Sequence, residues 1–243
     1  MRIKRAYAMA AALLLSMAAA AAGGSGFPDD WQAGREVSEE AVRQAGADRC
    51  FTAEEISDAT FSRMKGRSWP EGCPLGRSSL RYLRLLHRNA EGRPQMGEMV
   101  VNAEIAAKVV GIFRRLYDEG YRIGRMVLID EYGADDELSM RANNTTCFNY
   151  RLQTGSRSRV SKHALGLAID INPLYNPYVK RRRDGTFHVE PSTGRKYAFS
   201  RDTRKDIPCK IDRSDLAYRL FTAAGFRWGG AWRSVKDYQH FEK

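Results

Sequence analysis

The chain has 243 residues, of which 43% are hydrophobic, 10% aromatic and 28% charged. That balance carries enough apolar mass for a core and excludes disordered and collagen-like chains, and the length fits one domain with at most a small appendage. The net charge of +11 at neutral pH favours anionic partners.

In chain order, a basic start, Met1-Arg-Ile-Lys-Arg5, precedes an apolar run from Ala6 to Ala22 and then Gly23-Gly-Ser-Gly26. This pattern predicts a secretory signal over residues 1–22, because the run falls short of the ~20 residues of a membrane span. A retained anchor is the alternative, and no Cys close behind the run offers a lipid attachment site. Without Arg2, Lys4 and Arg5 the net charge drops from +11 to +8. An exported basic chain meets the anionic cell wall and membrane surface, whereas nucleic acid lies on the other side of the membrane and no nucleic-acid-binding motif is present.

Residues 23–48 read as a leader with at most a short helix. Thr52-Ala-Glu-Glu55 has capping-box spacing ahead of Ile56, Phe61 and Met64, which predicts a helix stopped by Gly66. Pro70, Gly72, Pro74 and Gly76 make Ser68–Arg77 a loop. Residues 23–95 are thus expected to form an N-terminal leader and helical region, and residues 96–243 the main domain. Ile105, Val109, Ile112, Phe113 and Leu116 share one helical face between Asn102 and Gly120. Arg125–Asp130 suits a buried strand, and Asn143–Thr146 and Gly155–Ser158 suit loops. Leu165, Leu167, Ile169 and Ile171 alternate, predicting a strand over His163–Asn172 with Asp170 on its polar face. Residues 173–208, with Asp184-Gly185, read as an excursion containing a hairpin. Its basic run, Lys180–Arg183, reads as a solvated loop, with contact to a wall polymer as the alternative. Ser214–Ala224 predicts a helix stopped by Gly225, and Phe226–Trp228 and Tyr238–Phe241 predict short strands. The expected class is α+β, a small antiparallel sheet with helices packed on it.

The four cysteines, Cys50, Cys73, Cys147 and Cys209, show no C-x-x-C spacing, which argues against a structural zinc site. In an exported chain they permit disulfides, and of the three pairings Cys50 with Cys73 and Cys147 with Cys209 is expected, since each staples one sequence region.

Of the four histidines, His87 and His188 carry no assigned role. His163 in Ser161-Lys-His-Ala-Leu-Gly-Leu-Ala-Ile-Asp170 and His240 in Asp237-Tyr-Gln-His240 have distinctive surroundings. A hydrolytic zinc site needs three protein ligands and one open position, and two imidazoles with one carboxylate are a common set. His163, Asp170 and His240 supply it. Gly166 lets the chain turn into the strand, and small Ala168 leaves room beside Asp170. Asp237, three residues before His240, is placed to act as a base.

Ser161-x-His163-x-x-Gly166-x-Ala168-x-Asp170 followed by Asp237-x-x-His240 resembles the zinc D-alanyl-D-alanine carboxypeptidase family. That family includes L-alanyl-D-glutamate endopeptidases and is related to lysostaphin-type enzymes and the hedgehog zinc domain. The resemblance runs from about Met126 through Phe241, including Gly225-Phe-Arg-Trp-Gly-Gly-Ala-Trp232. It implies a hedgehog/DD-peptidase-like fold with a zinc cleft and one Zn2+ per chain held by His163, Asp170 and His240. It further implies Asp237 as general base and later acid, and Arg151, or alternatively Arg141, near the substrate carbonyl. Ser161 and Trp232 are candidate substrate contacts, with a turn role as the alternative for Ser161 and a core role for the tryptophans. The implied function is an exported, periplasmic or extracellular, monomeric metallopeptidase that hydrolyses peptidoglycan stem peptides. A non-catalytic zinc-containing wall-binding module is the alternative.

Overall fold

Ser38 accepts a hydrogen bond from the Ala41 amide and so opens the first helix, α1 (Glu39–Ala45), in a computed structural model that describes residues 27–153 and 156–243. The secretory signal and Gly155 lie outside the described residues. Among the described residues no helix is long and apolar enough to cross a membrane.

The helix expected from residue 52 divides. Thr52 to Glu54 pair with the following hairpin in strand β1 (Phe51–Glu54), so cross-strand contacts override the capping-box spacing. Helix α2 (Asp58–Met64) instead starts at Ser57, whose hydroxyl accepts from the Thr60 amide at 3.1 Å. Strands β2 (Leu80–Arg88) and β3 (Pro94–Asn102) pair along their whole length. Both bury side chains on two faces, including Leu83, Leu85, Leu86, Met96, Met99 and Val101. They therefore show none of the alternation that marks a half-exposed strand. A domain boundary after residue 95 would cut β3 and separate it from β2.

Helix α3 (Ala103–Asp118) forms where the apolar spacing places it and buries Ile105, Val109, Ile112, Phe113 and Leu116. Asn102 caps it by accepting from the Glu104 amide, and Gly120 ends it at a φ of 74°. The strand expected over Arg125–Asp130 does not form. Met126, Val127 and Leu128 are buried, yet side chains take their amides: Val127 donates to Asn144 Oδ1 at 2.9 Å and Leu128 to Glu98 Oε1 at 3.3 Å. A 3-10 turn follows at Ile129–Tyr132, and then α4 (Asp136–Arg141), capped by Asp135.

Two further sheets come from short strands: β4 (Ala168–Asp170), β5 (Tyr178–Arg181), β6 (Phe187–Glu190), then, after helix α5 (Leu216–Ala223), β7 (Arg227–Trp228), β8 (Lys236–Asp237) and β9 (His240–Glu242). Their orders are β4-β9-β7 and β6-β5-β8, with every pair antiparallel. The class is α+β. The strand expected from His163 is shorter, because His163–Leu165 is a 3-10 turn ended by Gly166 at a φ of 66°. Tyr238–Phe241 likewise is not one strand, since the chain passes there from one sheet into another. The basic run sits exposed at the tip of the β5–β6 hairpin.

One apolar core joins the first sheet, α3, α5 and the β4-β9-β7 sheet. Leu83 and Met99 of the first sheet, Ile105 and Phe113 of α3, Ile169 of β4, Phe221 of α5 and Phe241 of β9 belong to a single cluster. The excursion over residues 173–208 is held by Arg201, which is 5% exposed. It donates to Tyr175 O, Tyr197 O and Asn176 Oδ1 and lies 4.3 Å from the Tyr238 ring centroid.

The expected disulfides are absent, and all four cysteines are free. Cys50 and Cys147 are core residues, whereas Cys73 and Cys209 lie in partly exposed turns. Each expected pair would join a core position to a surface one.

Asp215 caps α5, accepting from the Ala217 and Tyr218 amides at 2.9 and 3.3 Å. Burial raises its pKa from 3.8 to about 6 against those hydrogen bonds. Because the folded chain holds this proton more tightly than the unfolded chain, the associated stability is full below pH 3.8 and is lost as pH rises through about 6. Asp215→Asn keeps the capping oxygen and removes the charge. Denaturation at pH 4 and pH 7 should show the variant more stable at pH 7 by about 1 kcal/mol and with a flattened slope. An unchanged pH slope would exclude Asp215 as its source.

Candidate metal centre

β4 and β9 pair so that Asp170 stands opposite His240 on one face, while Ile169 and Phe241 turn to the core on the other. His163 reaches the same point from its 3-10 turn. That turn is clasped by the end of β3: the Asn102 amide donates to Gly166 O at 2.9 Å and Asn102 Nδ2 to Leu165 O at 3.0 Å. A Cβ on Gly166 would lie 2.7 Å from Asn102 N, so glycine serves both the left-handed φ and the close approach. The N-terminal sheet therefore helps to position a site residue.

Donor atoms of three residues converge. His163 Nε2 lies 3.2 Å from Asp170 Oδ2 and 3.2 Å from His240 Nδ1, and His240 Nδ1 lies 3.0 Å from Asp170 Oδ1. Donors about 2.1 Å from a tetrahedral ion stand about 3.4 Å apart, so the spacing of these three residues is that of a group able to hold one metal ion. The side chains are 6%, 13% and 8% exposed for His163, Asp170 and His240. His163 Nδ1 faces Cys147 O at 2.7 Å and donates to it, leaving Nε2 free for a ligand.

The electrostatics also suit a cation. Burial works to raise the Asp170 pKa, yet His163 and His240 together hold it well below the usual carboxylate range. Burial works to lower that of His240, but the hydrogen bonds it donates to Asp170 and Glu242, with the charges of Asp170 and Asp237, raise it to about 10. The field that would keep a proton on this imidazole would equally favour a divalent ion.

Asp237 lies on β8 in the neighbouring sheet, with Oδ2 4.0 Å from His240 Nδ1. Burial pushes its pKa up to about 7, and among the described residues Oδ1 has no hydrogen-bond partner. A carboxyl that ionises near neutrality can both take and return a proton. The Gly229-Gly230 turn packs beneath it: a Cβ on Gly229 would lie 2.8 Å from Asp237 Cβ and 3.3 Å from His240 Cβ.

All four residues border a cleft of about 1240 Å³ that also contains Arg151, Ser161, Tyr178, Trp232 and Glu242. Arg151 is ion-paired with Asp136. Arg141 is not among the lining residues; it pairs with Glu137 and donates to Ser192 Oγ. Ser161 touches the cleft, but its hydroxyl accepts from the His163 amide and shapes the turn. Trp232 forms a wall, its ring centroid 5.3 Å from that of His240, while Trp228 is a core residue donating to Tyr238 O. His87 is buried on Ile123 O, and His188 pairs with Glu190; neither is among the residues lining the cleft.

Sequence reasoning missed Glu242, Asp136 and the Cys147 carbonyl. Only Glu242 had a readable signal, since His240-x-Glu242 places both on one strand face.

Residues 154–243 match the family model described as D-alanyl-D-alanine carboxypeptidase, a shorter stretch than the one expected from Met126. Searches of curated proteins and of solved structures found no match. The stretch holds His163, Asp170, Asp237 and His240, so the C-terminal part of this chain is similar to the D-alanyl-D-alanine carboxypeptidase family where all four candidate residues lie.

Proposed function

We propose that the chain is an exported zinc metallopeptidase that hydrolyses an amide bond in peptidoglycan stem peptides, as a D-alanyl-D-alanine carboxypeptidase or an L-alanyl-D-glutamate endopeptidase. The convergence of His163, Asp170 and His240 at 3.0 to 3.2 Å, beside the partnerless Asp237 carboxyl oxygen in an open cleft, carries this reading. His163, Asp170 and His240 would hold one zinc, which would polarise a carbonyl and lower the pKa of water from 15.7 to about 7.

Asp237 takes the proton of the attacking water at its free carboxyl oxygen and returns it to the departing amine. Arg151 faces the oxyanion, a role supported over that of Arg141 by its place in the cleft wall. Its ion pair with Asp136 limits its rotamers. Trp232 packs on one side of the substrate, and Ser161 acts through the turn that aims His163. The cleft exceeds the roughly 300–1,000 Å³ of small-molecule pockets, which suits a multi-residue peptide. The basic surface suits the anionic wall, and residues 1–22 supply the export signal of a monomeric periplasmic or extracellular enzyme.

The test is digestion of purified murein sacculi by the zinc-loaded chain, with mass analysis of the released material. Free D-alanine identifies a carboxypeptidase, and cleaved stem peptides an endopeptidase. Sacculi that bind the chain but release nothing would overturn the hydrolase reading in favour of the binding module.

A further inference from the structure

The two imidazoles use different ring nitrogens toward the centre, and each needs a proton acceptor behind it. A neutral imidazole has one N–H, so a ring that ligates through one nitrogen must keep its proton on the other. For His163 the acceptor is a backbone carbonyl, Cys147 O at 2.7 Å. For His240 the central nitrogen is Nδ1, and Nε2 lies 3.4 Å from Glu242 Oε2.

We propose that Glu242 is a positioning residue that accepts the Nε2 proton of His240 and thereby presents the Nδ1 lone pair to the zinc. The inference rests on the zinc site proposed above. His240 and Glu242 are two residues apart on β9 and share a face. Register places Ala168 opposite Glu242 on one side and Arg227 on the other. Ala168, fully buried and with only a methyl group, leaves room for the carboxylate. Arg227 anchors the other oxygen, its guanidinium 2.6 Å from Glu242 Oε1. The Glu242 side chain is 13% exposed, so water competes little for it, whereas Arg227 is 72% exposed. The chain Arg227–Glu242–His240 is thus a carboxylate–histidine relay of the kind that sets ligand tautomer and ring angle.

Zinc dissociation constants, measured by chelator competition on the full chain, test this. Glu242→Ala should weaken zinc binding about 10- to 100-fold, the range for such partners. Glu242→Gln, whose amide oxygen still accepts, should restore most of that affinity. Arg227→Ala should cost less than about fivefold, since an exposed ion pair contributes about 0–1 kcal/mol. Melting of the zinc-free proteins reports folding, and Glu242→Leu replaces the alanine variant if that one does not fold. Binding by Glu242→Ala or Glu242→Leu within about threefold of the natural chain would overturn the proposal, as would Glu242→Gln binding as weakly as Glu242→Ala. If the natural chain itself binds no zinc, the metal site falls and this role with it; zinc binding unaffected by Glu242 sinks the positioning role alone.

Discussion

Asp237→Asn is expected to lower kcat/KM on stem peptides by about 100- to 10,000-fold, the usual worth of a positioned general base, while leaving zinc content at one ion per chain. Asparagine matches aspartate in shape but cannot take a proton at pH 7. The separation of the two effects follows from geometry. Asp237 Oδ2 is 4.0 Å from His240 Nδ1, outside the 3.0 to 3.2 Å triangle formed by the three candidate ligands. The residue also sits on β8, in a different sheet from Asp170 and His240, so its replacement leaves the β4–β9 pairing intact. Metal analysis and sacculus digestion on the same preparation check both halves. Full activity would remove Asp237 from the reaction, and loss of zinc would make it a ligand rather than a base.

Arg63→Ala should cost about 2 kcal/mol of stability, within the roughly 1.5–3 kcal/mol range for hydrogen bonds to a charged group, since Glu98 is buried while Arg63 itself is 36% exposed, or about 4–8 °C in Tm for a chain of this size. Glu98 is 2% exposed and lies in the middle of β3. Arg63 of α2 binds both of its carboxylate oxygens, the Tyr82 hydroxyl donates to one, and the Leu128 amide to the other. Without the guanidinium, a buried negative charge keeps two neutral donors and no counter-ion. The double variant Arg63→Ala with Glu98→Gln should recover a large part of the loss, because the charge itself is the penalty. Equal melting of Arg63→Ala and the natural chain, or no recovery in the double variant, would show that the pair contributes little.

How far the sequence could be read depended on the range of the interactions involved. The α3 face and the Gly120 and Gly225 stops depend on residues within a few positions of one another, and each forms as its spacing indicates. The strand expected at Arg125–Asp130 failed because Asn144 and Glu98, distant in sequence, satisfy amides that a ladder would otherwise engage. The helix expected at residue 52 yielded to pairing with β2. Strands β2 and β3 gave no periodic signal because neither face meets water along much of their length. Cysteine count and spacing suggested two bridges, yet burial divides each expected pair between core and surface.

His163, Asp170, Asp237 and His240 were singled out in the sequence by residue type and spacing together with the family resemblance of their joint pattern, since each residue taken alone signals little. Their convergence is tertiary: it requires β4 and β9 in register, the chain crossing between sheets at Tyr238–Gln239, and Asn102 holding the turn beyond His163. The choice of Arg151 over Arg141 in the cleft wall, and the acceptor behind each imidazole, likewise appear only once the strands are paired. A side chain's chemistry is carried by its own atoms, so sequence determines it; which hydrogen-bond partner a ring nitrogen finds depends on backbone brought from elsewhere in the chain, so only the fold decides it.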